Sequence, residues 1–148
     1  RRVTRLSVAR VLAVDLGERR IGLALSDPSG TLASPLRTIE VTGDPERDRL
    51  AVVTAAREAE AQVIVVGLPR SLSGREGPAA RRARAEASAL AEVAGEIRVE
   101  LHDERFTTRD AHRALAAAGT RRRERRARVD AAAAAIILQS YLDAKAKQ

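Results

Sequence analysis

Cysteine is absent from this 148-residue chain, Phe106 and Tyr141 are its only aromatics, and Lys145 and Lys147 its only lysines. Without cysteine there is neither a disulfide nor a thiolate metal site, which fits a reducing compartment, and the cytoplasm is the expected location. With so few aromatic rings the chain has little on which to stack unpaired bases, so a nucleic-acid partner would be read through backbone and shape more than through base identity. No apolar run approaches the roughly 18–20 residues that span a membrane, and no membrane partner is expected. The start, Arg1-Arg2-Val3-Thr4-Arg5, lacks the apolar core of a signal peptide. Residue 1 is not Met, so the true N-terminus is expected to be processed or to lie upstream. What the chain has in excess is arginine. The formal net charge is +7, which favours polyanionic partners, although a GC-rich genome also raises arginine over lysine.

The length predicts one domain, residues 1–148, large enough to bury a core, with residues 1–9 a flexible extension. Residues 10–15 and 21–26 read as short strands joined by Leu16–Arg20, a turn in which Gly17 is free to take a positive φ. Residues 31–41 read as a less regular strand, and Pro35 puts it at an edge or a bulge. Asp44 and Pro45 form an N-cap and first-turn signal for a helix to about Ala61. Val63-Ile64-Val65-Val66-Gly67 is apolar on both faces, the mark of a strand buried between helices. After a loop to Gly77, helical spacing returns from Ala80 to Ala94, and residues 97–103 form a strand. Thr107 or Thr108 caps a helix ending near Gly119, and a last helix is expected from about Asp130. The class is α/β, a mixed sheet flanked by helices.

Acidic residues fall where these elements begin or end. Asp15 closes the first strand, Asp103-Glu104 the last, and Asp130 opens the final helix. Three carboxylates converging from such places would suit a hard cation with oxygen ligands, a common device for cutting phosphodiesters. Each also has a plainer explanation: Asp15 as a turn residue before Gly17, Asp103 or Glu104 as a surface partner of Arg105, and Asp130 as a helix cap. Strand alternation groups Asp103 with Val99 and Leu101 and so favours it over Glu104 as the inward group. Asp130 shares one helix face with Ala134, Ile137, Leu138 and Tyr141.

Arg121, Arg122, Arg123, Arg125, Arg126 and Arg128 directly precede Asp130. They would offset repulsion between phosphate and clustered carboxylates, unless they form only a solvated loop. Arg20, Arg70, Arg75 and Arg105 are further candidates for phosphate contact. His102 and His112 lack zinc-ligand spacing, and no phosphate-binding or dinucleotide-binding glycine motif occurs.

In chain order, Val14-Asp15-Leu16-Gly17 with Arg20-Ile21-Gly22-Leu23-Ala24 and Ser26-Asp27, then Val66-Gly67-Leu68-Pro69, Asp103-Glu104-Arg105-Phe106-Thr107-Thr108 and Val129-Asp130 with Ile137-Leu138-Gln139-Ser140-Tyr141-Leu142, resemble the YqgF/RuvX family. The resemblance implies a ribonuclease H-like fold and a nuclease dependent on Mg²⁺ or Mn²⁺. It places Asp15, Glu104 and Asp130 as catalytic, metal-holding acids and so favours Glu104 over Asp103. Members of the family are described as processing the 5′ end of precursor 16S ribosomal RNA and as resolving Holliday junctions. The implied partners are precursor rRNA, ribosomal precursor particles or branched DNA, with the protein a monomer or homodimer. A non-catalytic RNA- or ribosome-binding module is the alternative of a different class. The family often has an acidic residue just before the glycine of the loop, where this chain has Ser73-Gly74.

Overall fold

Val11–Leu16 (β1), Arg20–Ser26 (β2) and Ala33–Glu40 (β3) form an antiparallel meander. Val63–Leu68 (β4) and Arg98–Asp103 (β5) extend it in parallel, giving a five-stranded sheet in the order β3-β2-β1-β4-β5. Pro45–Glu58 (α1), Pro78–Val93 (α2) and Arg122–Ala146 (α3) are the helices. The computed structural model describes residues 8–70, 74–104 and 122–147, and for 122–130 the backbone alone. The expected helix from Thr107 or Thr108 to Gly119, and residues 1–7 of the expected extension, lie outside the described residues. Ala9, at the end of that extension, packs against the core. Among the described residues no helix is long and apolar enough to cross a membrane.

Alternation along inner strands sends neighbouring side chains to opposite faces of the sheet, and here both faces are covered. Leu12, Val14, Leu23, Ile64 and Val66 pack with Val52 and Val53 of α1 and Ala83 and Leu90 of α2. On the other side Val11, Ala13, Ala24, Val63 and Val65 pack with Ala134, Ile137, Leu138, Tyr141 and Leu142 of α3. All six residues of β4 are buried, as an unbroken apolar run requires. The outer strand β3 is exposed over Ser34–Arg37, and its register against β2 shifts between Leu23 and Ala24, opposite Arg37 and Pro35. Proline cannot donate to the ladder, which explains both the edge position and the irregularity. Asp44 caps α1, its carboxylate accepting from the N–H groups of Glu46 and Arg47 at 3.2 and 3.4 Å.

Two expectations are corrected. Gly17 is not among the glycines with positive φ. Its role is steric, because a Cβ there would run into the carbonyl oxygen of Arg20 across the turn. The last helix begins at Arg122, not near Asp130, so Asp130 is an interior helical residue and not a cap. Arginine and alanine are both good helix formers, so the basic run continues the helix instead of delaying it.

Because β1, β4 and β5 are parallel, their C-terminal ends lie along one edge of the sheet. Helix α3 crosses beneath them in the opposite sense: Ser140 meets His102 and Tyr141 meets Glu100, so rising numbers in α3 meet falling numbers in β5. Residues preceding Ile137 in α3 are therefore carried toward the C-terminal edge.

Candidate active site

Asp15 follows Val11 and Ala13 by alternation and belongs to the α3 face of the sheet, as does Gly67 after Val63 and Val65. On β5, Val99 and Leu101 join the core under α1 and α2. Glu100 and His102 turn to α3, where Glu100 accepts from the Tyr141 hydroxyl at 2.9 Å and His102 Nε2 lies 2.8 Å from Ser140 Oγ. Burial and the bond to Glu100 push the Tyr141 hydroxyl up to about 12, and burial lowers His102. Glu104 lies just beyond the strand, with its N–H donating to the Leu68 carbonyl at 3.1 Å, and its carboxylate reaches back over Gly67.

Gly67 makes this reach possible. A Cβ at that position would lie 2.6 Å from Glu104 Oε2 and 2.7 Å from Ile137 Cδ1. Asp15, Gly67 and Glu104 consequently line one open pocket of about 210 Å³, together with Leu16, Pro69 and, from α2, Ala79, Arg82 and Ala83. Glu104 is the perturbed group of this pocket. Burial first, then the negative charges of Asp15 and Asp103, push its carboxyl up to about 7. A second carboxylate in a partly dry pocket raises the cost of ionising Glu104, a repulsion that a bound cation would relieve.

Asp103, which alternation alone favours, turns the other way. Arg70 Nη1 donates to Asp103 Oδ2 at 3.0 Å, and the same guanidinium reaches Glu76 Oε2 at 3.2 Å. Glu76 also holds Arg84 at 2.6 Å, and Arg84 first, then Arg70, keep its carboxyl down at about 2. This chain of alternating charges ties the loop after β4 to β5 and α2. Both sheet faces are buried, so grouping with Val99 and Leu101 marks the α1/α2 core and not the pocket. Alternation therefore does not lead to the pocket that Glu104 shares with Asp15.

The remaining predicted residues are placed as follows. Asp130 lies one helical turn before Ala134 on α3, toward the edge that carries Asp15 and Glu104; its side chain is outside the described residues. Among the described residues no group of three His, Asp or Glu side chains is gathered closely enough to hold a metal. Arg20 sits at the same edge, half-buried, with Nε 3.6 Å from Glu40 of β3. Arg70 is engaged as above, and Arg75 is exposed on the loop. Arg105 and Arg121 lie outside the described residues, and Arg122, Arg123, Arg125, Arg126 and Arg128 are described only as helical backbone. Gly67 and Arg82 were not singled out as site residues from the sequence. The signal for Arg82 was present in the spacing Ala79, Arg82, Ala83, which puts one long side chain between two short ones on a single helix face.

The model of the family described as "RuvX: Holliday junction resolvase" matches residues 9–144. The chain belongs to the RuvX family. A relative in Kineococcus radiotolerans named "Putative pre-16S rRNA nuclease" is 48% identical over 134 residues, covering 90% of this chain and 71% of that protein. One of the same name in Pelotomaculum thermopropionicum is 45% identical over 138 residues, covering 93% and 89%. Among solved structures, Thermus thermophilus RuvC in complex with a Holliday junction substrate superposes with a TM-score of 0.61 at 14% identity, covering 95% of this chain and 98% of that one. This RuvX-family chain thus has the ribonuclease H-like fold, and as a member of its family it is a nuclease, a hydrolase acting on nucleic-acid esters.

Proposed function

We propose that this protein is a divalent-metal-dependent nuclease that trims the 5′ end of precursor 16S ribosomal RNA, with Asp15, Glu104 and Asp130 as its acidic residues. The observation that carries the reading is that Asp15 and Glu104, far apart in the chain, line one pocket at the C-terminal edge of the sheet, where burial and then the charge of Asp15 raise the Glu104 carboxyl. The donor set fits a hard cation: among the described residues the pocket wall offers carboxylate oxygens and neither sulfur nor imidazole. A cation of the Mg²⁺ or Mn²⁺ type held by these oxygens would supply Lewis acidity and charge neutralisation for phosphodiester hydrolysis. Asp15 is fixed by its place at the end of a buried strand. Glu104 is held by its backbone bond to Leu68 and by the clearance that Gly67 leaves. Helix α3 brings Asp130 toward the same edge. The basic start of α3, with Arg20, would hold flanking phosphates, so binding should weaken steeply with salt. The RNA assignment follows the names of the two relatives described above, and the location that goes with it is the cytoplasm.

A second reading is a Holliday junction resolvase, favoured by the description of the matching family. One experiment separates the two. Wild type and Asp15→Asn are incubated with a precursor 16S 5′ leader and with a four-way DNA junction, in Mn²⁺ or EDTA. Metal-dependent trimming of the RNA alone, lost in the variant, supports the processing nuclease. Symmetric nicks in the junction alone support the resolvase. Binding of both substrates without cutting of either would leave a nucleic-acid-binding module.

A further inference from the structure

We propose that Arg82 is the residue through which α2 grips substrate, donating to a phosphate seated in the pocket that Asp15 and Glu104 line. This rests on the nuclease reading and adds a contact from α2 to the pocket of the acids. The cations around the pocket are not equivalent. Arg70 is shared between Asp103 and Glu76, and Arg84 is held by both oxygens of Glu76. Arg82 lines the pocket, is exposed, and forms no ion pair with a carboxylate among the described residues. Its neighbours on that helix face, Ala79 and Ala83, are short and apolar, so among the α2 residues that line the pocket Arg82 is the one with a polar side chain.

The charge placement around Arg82 is otherwise unfavourable. The first turn of α2 holds no acidic residue, Gly77 caps it without a side-chain hydrogen bond, and Arg81 and Arg82 follow close behind. Cations near a helix N-terminus oppose the helix dipole. A polyanion entering the pocket would reverse that disadvantage, because its phosphate meets both the guanidinium and the positive end of the helix. A guanidinium also suits the two non-bridging oxygens of a phosphodiester better than an ammonium does. The arrangement gives the substrate two sides: acids on the sheet edge and a cation on the helix, with the backbone phosphate between them.

The test compares Arg82→Ala, Arg82→Lys and the control Arg81→Ala with wild type, each checked for its native circular dichroism spectrum. Binding of a short labelled single-stranded RNA and of a DNA duplex is followed by fluorescence anisotropy in EDTA across a salt series, and cutting in Mn²⁺ is followed separately. Arg82→Ala should bind about tenfold more weakly at low salt, and its slope of log affinity against log salt should fall by about 0.7 on single strands. Arg82→Lys should recover part of the affinity and the whole of the slope, and Arg81→Ala should stay near wild type. An Arg82→Ala protein with wild-type affinity and slope would overturn the proposal. So would an equal loss in Arg81→Ala, which would mean that only the net charge of α2 matters. A wild type that binds neither probe would sink the nuclease reading itself and the contact with it, whereas Arg82→Ala behaving as wild type would remove only the contact.

Discussion

The two faces of the sheet are built from different materials. Toward α1 and α2 the inner strands present Leu12, Val14, Leu23, Ile64 and Val66, large apolar side chains that fill a layer. Toward α3 they present Ala13, Ala24 and Gly67 among valines, then Asp15 at the strand end and Glu100 and His102 on the neighbouring strand. The first face is made for packing. The second is thin, which lets a long helix approach closely, and polar toward the edges, which gives that approach a chemical use. Helix α3 therefore serves twice. Ala134, Ile137, Leu138 and Tyr141 seal the core, while the turns before them carry Asp130 toward the acids of the strand ends.

The comparison breaks most sharply at the acids. If Asp15 has the proposed role, Asp15→Asn should lower metal-dependent cutting by about a thousandfold or more, because a cation held there would supply several kcal/mol of charge stabilisation. Its melting temperature without metal should be unchanged or higher, because a repulsion with Glu104 is removed; a lower one would make Asp15 a structural residue. Gly67→Ala should come next, reducing cutting by about tenfold or more, because the added methyl group displaces the Glu104 carboxylate and Ile137. Cutting at the wild-type rate would show that Glu104 need not lean over β4.

Two substitutions test the packing half of the contrast. Leu23→Ala, in the face under α1 and α2, should cost about 2–5 kcal/mol of stability by leaving a cavity, with activity per folded molecule retained. Ala24→Leu, on the thin face, should cost about 1–3 kcal/mol by overpacking, and should also lower activity by pushing α3 off the sheet. Urea unfolding and active-fraction assays read both, and an Ala24→Leu variant with full activity would separate the position of α3 from the chemistry.

The smallest effect is a pH dependence of the metal-free protein. Glu104 is raised from the ordinary carboxyl value to about 7 in the folded chain. Between about 4.5 and 7 the folded state thus binds the proton more tightly than the unfolded one. Stability should decline as pH rises through that window and level off above it. Glu104→Gln should flatten the decline in urea titrations run in EDTA. Equal slopes in wild type and variant would mean that the carboxyl titrates normally.

Much of the frame is legible in local pattern. The unbroken apolar run of β4, the edge position forced by Pro35, the cap at Asp44 and the apolar stripe of α3 each follow from a few consecutive residues, and each is found in the fold. The site is less legible. Alternation states which residues of β5 share a face but not which face meets the pocket, so it pointed to Asp103 where the geometry seats Glu104 beside Asp15. The basic run before Asp130 resembles a loop by charge, yet arginine suits a helix and α3 begins inside the run. Family resemblance, carried by short blocks in fixed order, marked Glu104 where periodicity did not.

By itself the sequence determined the elements and their apolar sides, because those depend on period and turn chemistry over a handful of neighbouring residues. It also determined the supply of charge, arginine in excess and acids at the ends of two strands. Only the tertiary structure decided which charges answer one another: Arg70 and Arg84 taken up by Asp103 and Glu76, Arg82 brought to the pocket, Glu104 set over Gly67 against Asp15. Arg70 with Asp103, and Glu104 with Asp15, join residues distant in the chain, and these pairings exist only once parallel strands have aligned their ends and a helix has been laid beside them.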